Sequence, residues 1–306
     1  YSMKTMSHPT ELTDYMNFQD LLEDEEKLVR ETARAFVNEK VMDIIDEHAQ
    51  KEIFPAHLIP EMGNLGFFGP TLPEEYGCAG ADNVTYGLAM QELERGDSGL
   101  RSFVSVQTSL VIHPIHTWGS EQQKQKYLPK LATGEMVGCF GLTEPDAGSD
   151  PGGMKTRAKR TSNGYVLNGA KMWITNSPIA DLFIVWAKAE PDEAIRGFIL
   201  EKGMTGLSAP KIEGKFSLRA SVTSELAFDN VRVPKENIVG GAGGVWTVMV
   251  GGLNFERCLI GASTVGPMGE LNRFGYYFAK RRLQFGQSID RFEINQYRLA
   301  DSLAAY

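Results

Sequence analysis

The order of periodicities along the chain predicts a multi-domain α/β/α fold: a helical domain first, an all-β domain in the middle, and a second helical domain at the end. Three observations carry this. The first third shows apolar residues at helical spacing, interrupted by Pro and Gly. Residues 136–233 hold short runs rich in Val, Ile, Thr and aromatics, cut by turn dipeptides. From about Trp246 the helical pattern returns. The domains expected are residues 1–134, 135–240 and 241–306. A length of 306 residues suggests about two domains, and 42% hydrophobic with 23% charged residues is the composition of a globular chain with material for a core.

Within the first domain, residues 21–38 form a helix with Leu28, Val29, Ala33, Ala35 and Phe36 available for its buried face. Pro55 and Pro60 bracket a segment, 57–63, that starts a new helix, and the Pro- and Gly-dense stretch 71–83 is a loop. Residues 84–94 resume a helix, and 100–118 is an apolar, buried one. Ser120 with Gln123 three residues on marks a helix start, because the Ser hydroxyl caps the free amides. In the middle domain, residues 165–167, 171–175, 182–187 and 197–201 are strands, with turns at Asn163-Gly164 and Asn168-Gly169. Glycines 251, 252 and 261 weaken the next helix without cancelling it, and a further helix begins near Glu293.

The net charge of −8 and the absence of a long basic block argue against a nucleic-acid partner; an anionic ligand needs a local positive site. Cys78, Cys139 and Cys258 are too far apart for a metal-ligand spacing, so unpaired thiols and no metal are expected. No apolar run is long enough to span a membrane, and residues 1–9 lack a signal-peptide core. The Tyr at position 1 fits a tag remnant, trimming or processing.

The most specific segment is 139–150, Cys-Phe-Gly-Leu-Thr-Glu-Pro-Asp-Ala-Gly-Ser-Asp. It places the Thr143 hydroxyl, the Glu144 carboxylate and a Gly148-Ser149 turn after a short apolar run, which suits a phosphate or a polar ring edge. On spacing alone a ligand-free loop explains these residues better. Lys171-Met-Trp-Ile-Thr-Asn176 is a strand expected to point Trp173 and Thr175 to one face, and Arg282-Leu-Gln-Phe-Gly286 lies at a helix end. Together these three segments resemble the signatures of the acyl-CoA dehydrogenase family, over nearly the whole chain from Phe18.

That resemblance implies the helical, β-barrel-like and helical-bundle domain order, with the last domain incomplete at Tyr306. It also implies FAD as cofactor, an acyl-CoA substrate, electron-transfer flavoprotein as acceptor and a homo-oligomer, a dimer of dimers. The compartment implied is cytoplasmic in a bacterium or archaeon and the mitochondrial matrix in a eukaryote. The backbone of Phe140, Gly141 and Leu142, the hydroxyls of Thr143 and Thr175, and Ile174 would meet the flavin edge, with Trp173 beside the ring. Ser149 would lie near the phosphate end, against the thioester chain, and Arg282 and Phe285 would reach an FAD in a neighbouring subunit. The competing reading of Arg282 is a solvated helix-end cation, common in isolation.

The reaction needs a carboxylate base in a dry site. Most of the family carries it in a later loop, which this sequence does not contain. Glu256 is the candidate here: it sits with Arg257 in the otherwise apolar run 245–268, and the words around it resemble the isovaleryl-CoA and long-chain branches, as do Leu253 and Asn254 beside it. The competing reading is a structural ion pair. The segment 94–105 resembles the glutaryl-CoA branch, in which the residues matching Glu94, Arg101, Ser102 and Ser105 hold a substrate carboxylate; an internal Glu94–Arg101 or Asp97–Arg101 bridge explains them equally well on physical grounds. Residues 176–181 and 214–221 also look like the glutaryl branch. Glu293 stands where the family usually has Gln, an unfavourable charge near a pyrophosphate. The expectation is dehydrogenation of a short acyl-CoA, glutaryl-CoA first and with or without decarboxylation to crotonyl-CoA. The alternatives are an isovaleryl-type enzyme, a non-catalytic acyl-CoA-binding or assembly subunit and, as a minor reading, oxidase chemistry.

Overall fold

The structure, a computed structural model, describes Asp14, residues 16–240 and 249–306, and the backbone of residues 245–248. The stretch 1–9 and the boundary at 241 lie outside the described residues.

The helical part opens with α1 (Asp24–Phe36), α2 (Ile45–Lys51), α3 (Ile59–Asn64) and α4 (Asn83–Gly96). Glu23 and Glu26 close a reciprocal capping box at the start of α1. Its buried face is Glu26, Ala33 and Phe36; Leu28 and Ala35, expected inside, are exposed because they turn away from α4. Then come α5 (Ser98–Ser105), a π-helical stretch (Val106–Ile112) and α6 (His113–Trp118), a nearly continuous helix sunk in the core, and α7 (Glu121–Thr133). The capping box at Ser120 and Gln123 forms as the sequence indicates.

The middle part is one mixed sheet of eight strands. In chain order these are β1 (Gly138–Gly141), β2 (Arg157–Thr161), β3 (Gly164–Thr175), β4 (Leu182–Ala189), β5 (Ala194–Glu201), β6 (Leu207–Ser208), β7 (Thr223–Pro234) and β8 (Ile238–Val239). The paired path runs β6-β7-β3-β2-β4-β5-β8, with β1 parallel to β4. The Asn163-Gly164 signal closes the β2–β3 hairpin. Asn168-Gly169 is not a turn: it is a bulge inside the long β3, where Gly169 has φ +144 and a Cβ would come within 2.5 Å of Thr156 Oγ1. Strand β4 is buried on both faces. Leu182, Ile184 and Trp186 join the helical core, while Phe183, Val185 and Ala187 fill a second core with Phe198, Leu200 and Leu226.

The final part is α8 (Val245–Ser263), α9 (Val265–Arg281), a hairpin of β9 (Leu283–Gln284) and β10 (Gln287–Ser288), and α10 (Glu293–Ala305). Helix α8 lies against α4 and the π-helical stretch. Gly252 permits that approach, since a Cβ there would sit 3.3 Å from the Ser109 carbonyl oxygen. Cys78 and Cys139 are buried free thiols and Cys258 is an exposed one.

Candidate active site

Asp97 ends α4 and caps α5, accepting from the Leu100 N–H at 2.8 Å. That shared corner sets Glu94, in the last turn of α4, against Arg101, in the first turn of α5. Arg101 Nε donates to Glu94 Oε2, and Ser98 Oγ donates to Glu94 Oε1 at 2.7 Å. Arg101 Nη1 donates to Ser105 Oγ at 3.1 Å and lies 3.8 Å from Glu256 Oε1 on α8. All four side chains are buried or nearly so. Ser102, expected beside Ser105, joins through its carbonyl, which accepts from Ser105 Oγ at 3.2 Å.

Glu256 is the site's unusual group. Its Oε2 is buried with no hydrogen-bond partner among the described residues. Burial raises its pKa above the ordinary carboxylate value, and Ser105, Arg101 and Ser109 pull the other way without outweighing it. Beneath it, Tyr86 is fully buried, bonds Ser109 Oγ at 3.3 Å and has its phenol pushed up, first by burial and then by the Glu256 charge. Arg257 does not pair with Glu256: it donates to Asn254 Oδ1 at 2.8 Å on the exposed side of α8, while Leu253 packs half-buried against the helical core.

Sequence reasoning missed the polar residues of the buried helix, which read as simply apolar. Gln107 donates to the carbonyls of Leu131 and Met136, each at 2.9 Å, and accepts from Gly138 N–H at 2.7 Å, so it fixes where β1 begins. Thr108 Oγ1 accepts from Gly69 N–H at 3.0 Å. The signal available was polar side chains inside an apolar helix, which persist only when partnered.

The second region is the exit of β1. Phe140 packs its ring on Trp186, 5.9 Å between centroids, and pairs with Ile184 of β4. β1 has β4 as its only ladder partner among the described residues. Thr143 O accepts from Met172 N–H at 2.8 Å, so the Thr143 loop and the Trp173 strand meet. A bulge between Lys171 and Ile174 breaks the alternation of β3. It turns Ile174 into the second core and leaves Trp173 at φ +64 and 60% exposed, with Thr175 half-buried. Ile174 is itself paired with Ser224 of β7, and its carbonyl accepts from Ser177 Oγ at 2.6 Å. Ser149 is exposed in the loop that follows. Arg282 caps the end of α9 and Phe285, at φ +52, is 93% exposed at the tip of the β9–β10 hairpin. The structure does not join this pair to the Thr143–Trp173 region within one chain. Glu293 is exposed in the first turn of α10.

Two family models match: the acyl-CoA dehydrogenase N-terminal domain over residues 23–135 and the acyl-CoA dehydrogenase middle domain over residues 139–231. The chain belongs to the acyl-CoA dehydrogenase family. A glutaryl-CoA dehydrogenase from Mycobacterium smegmatis in complex with FADH2 is similar at 42% identity and a TM-score of 0.90, over 94% of this chain and 74% of that one. A mitochondrial isovaleryl-CoA dehydrogenase of Solanum tuberosum is 38% identical over 286 residues, 92% of this chain and 69% of that protein. A chain in the solved electron transferring flavoprotein of Acidaminococcus fermentans is 37% identical with a TM-score of 0.87, over 92% of this chain and 74% of that one.

The β1 exit of this acyl-CoA dehydrogenase family member fits a flavin. An isoalloxazine needs hydrogen-bond groups along one edge and an apolar face beside it. The singly paired β1, the half-buried hydroxyls of Thr143 and Thr175, and the exposed Trp173 indole are of those kinds. No helix of the described residues is long and apolar enough to cross a membrane.

Proposed function

We propose that this protein is an FAD-dependent dehydrogenase of a short acyl-CoA thioester, glutaryl-CoA in the first reading, with Glu256 as base and electron-transfer flavoprotein as electron acceptor. The observation that carries it is the buried pair of opposed groups, the Arg101 guanidinium and a Glu256 carboxyl with one oxygen unpartnered. A base that removes an α proton works best when burial brings its pKa towards neutrality, and Glu256 is shifted in that direction. Bound FAD would accept the β hydrogen as hydride. Arg101, held by Glu94 and Ser105, would present its guanidinium to the distal carboxylate, fixing how far the chain enters. Loss of that carboxylate as carbon dioxide, giving crotonyl-CoA, is part of the same reading.

The cofactor-facing set is Phe140, Gly141, Leu142, Thr143, Trp173, Ile174 and Thr175, with Ser149 towards the phosphates and the thioester chain. Arg282 and Phe285, exposed on their own hairpin, suit contact with an FAD in a second subunit of a dimer of dimers. Leu253, Asn254 and Arg257 would flank the acyl chain.

One observation favours a second reading, a short branched monocarboxylate of the isovaleryl type. Arg101 already has Glu94 on Nε and Glu256 3.8 Å from Nη1, so a dicarboxylate would bring a third negative group to one cation. Turnover with glutaryl-CoA against isovaleryl-CoA, under anaerobic flavin bleaching, separates the two. A colourless protein that takes up no FAD would end both.

A further inference from the structure

Lys171 has no accessible surface, yet it is a lysine. Its Nζ donates to Glu144 Oε1 at 2.8 Å and to the Leu142 carbonyl at 3.0 Å, with Met154 Sδ at 4.0 Å. Glu144 is buried too, and it accepts further bonds from the N–H groups of Lys155, at 2.6 Å, and Thr156, at 3.0 Å. Burial draws the Lys171 pKa down to about 8, with Glu144 opposing the fall. For Glu144, burial raises the pKa, but the Lys171, Thr156 and Lys155 bonds outweigh it and hold the group below its ordinary value. Taking two charges out of water is costly, and a well-packed apolar pair of the same volume is often as stable. Stability alone therefore does not call for this pair.

Its geometry constrains one peptide. In a trans peptide the carbonyl and the following N–H point in opposite directions. Lys171 draws the Leu142 carbonyl inward, and so the Thr143 N–H faces away from it. Met172 N–H draws the next carbonyl, Thr143 O, onto β3, and the Glu144 N–H is used by the Ala147 carbonyl at 3.0 Å. The loop is thus pinned at Leu142, Thr143 and Glu144, with the Thr143 N–H directed away from Lys171.

We propose that Lys171 and Glu144 are positioning residues that aim the Thr143 N–H, and with it the β1 exit, at the flavin edge. This rests on the reading above that places a flavin there. Neither side chain touches the cofactor; both act through the peptide they hold.

The test uses the full chain isolated with its FAD. Flavin fluorescence on dilution reports FAD release, and the visible absorption band reports hydrogen bonding at the ring edge. The double variant K171M/E144Q removes both charges and leaves no buried ion unpaired, so it is expected to fold with wild-type circular dichroism. FAD affinity is expected to fall about tenfold, and the visible band to shift. T143A, which removes the hydroxyl and the γ-methyl but keeps the peptide, is the control for the flavin placement. Weaker FAD in T143A with wild-type affinity and spectrum in the double variant overturns the proposal and leaves the flavin site standing. No change in either variant overturns the flavin placement and the proposal together. Should the double variant not fold, K171M alone carries the test, since Glu144 keeps the Lys155 and Thr156 N–H bonds while the Leu142 carbonyl loses its holder, and an unchanged band and affinity in it count against the pair.

Discussion

Arg101 Nη1 lies 3.8 Å from Glu256 Oε1, which ties α5 to α8 through a guanidinium already bonded to Glu94. Taking the cation from between these two carboxylates strands negative charge in low dielectric, whereas without the Glu256 charge Arg101 still pairs with Glu94. R101Q is expected to lose about 3–5 kcal/mol of unfolding free energy, and E94Q/R101Q to recover part of it. Urea midpoints for the two variants check this. In turnover, Arg101→Ala is expected to harm dicarboxylic acyl-CoAs selectively, and equal loss with butyryl-CoA would count against the clamp.

Glu256→Gln keeps shape and removes the base. It is expected to retain FAD and to lose turnover by about 10²–10⁴-fold, the usual contribution of a positioned proton acceptor. A near-normal rate would return Glu256 to a structural ion pair with Arg101.

The same residue gives a pH dependence with a definite sign. Its folded pKa is raised above 4.5, so the folded state holds the proton over a window in which the unfolded chain has released it. The stabilising contribution is present below the unfolded pKa and is lost as pH rises through the folded one. Turnover should therefore gain its base on an acid limb above 4.5, and Glu256→Gln should raise the melting temperature more at pH 8 than at pH 5. Equal shifts at both pH values would show that Glu256 is not raised in the folded protein.

Gln107 serves one donor and two acceptors in the core with a single amide. Gln107→Leu takes the amide from the Gly138 N–H and the Met136 carbonyl, while the Leu131 carbonyl keeps the Gly134 N–H at 3.2 Å, at about 1–3 kcal/mol for each buried group left unpaired and not rescued by water. A urea midpoint within error of wild type would mean that water replaces the amide.

Local chemistry made much of this readable. The Ser120–Gln123 box, the Asn163 hairpin and the return to helix after the sheet depend on short-range rules, and they form as the sequence indicates. Glu256 was visible because a charge inside an apolar helix demands a partner, although that partner, Arg101, is remote in sequence. What failed has physical causes. Asn168-Gly169 signals a turn and a bulge alike, since both use a glycine backbone forbidden to other residues, and only the pairing of β3 with β7 decides between them. Leu28 and Ala35 lie outside because burial depends on where α4 packs, which α1's own spacing does not encode. The Lys171–Glu144 pair was unreadable for the same reason: the bond spans 27 positions and closes only when β3 runs beside the β1 exit.

Trp173 separates folding from cofactor binding. Its φ of +64 lies in the left-handed region, which costs a non-glycine residue about 1–2 kcal/mol, and its indole is 60% exposed, so little core packing repays that cost. Trp173→Gly relieves the backbone but gives the unfolded chain more freedom, worth about 0.4–1 kcal/mol in the opposite direction. The second offsets part of the first, and the stability of the flavin-free protein should stay within about 1 kcal/mol of wild type or rise slightly. Flavin release should nevertheless quicken, because the apolar face beside the ring is gone. If stability instead falls steeply while FAD binding is untouched, Trp173 belongs to the fold and the ring lies elsewhere.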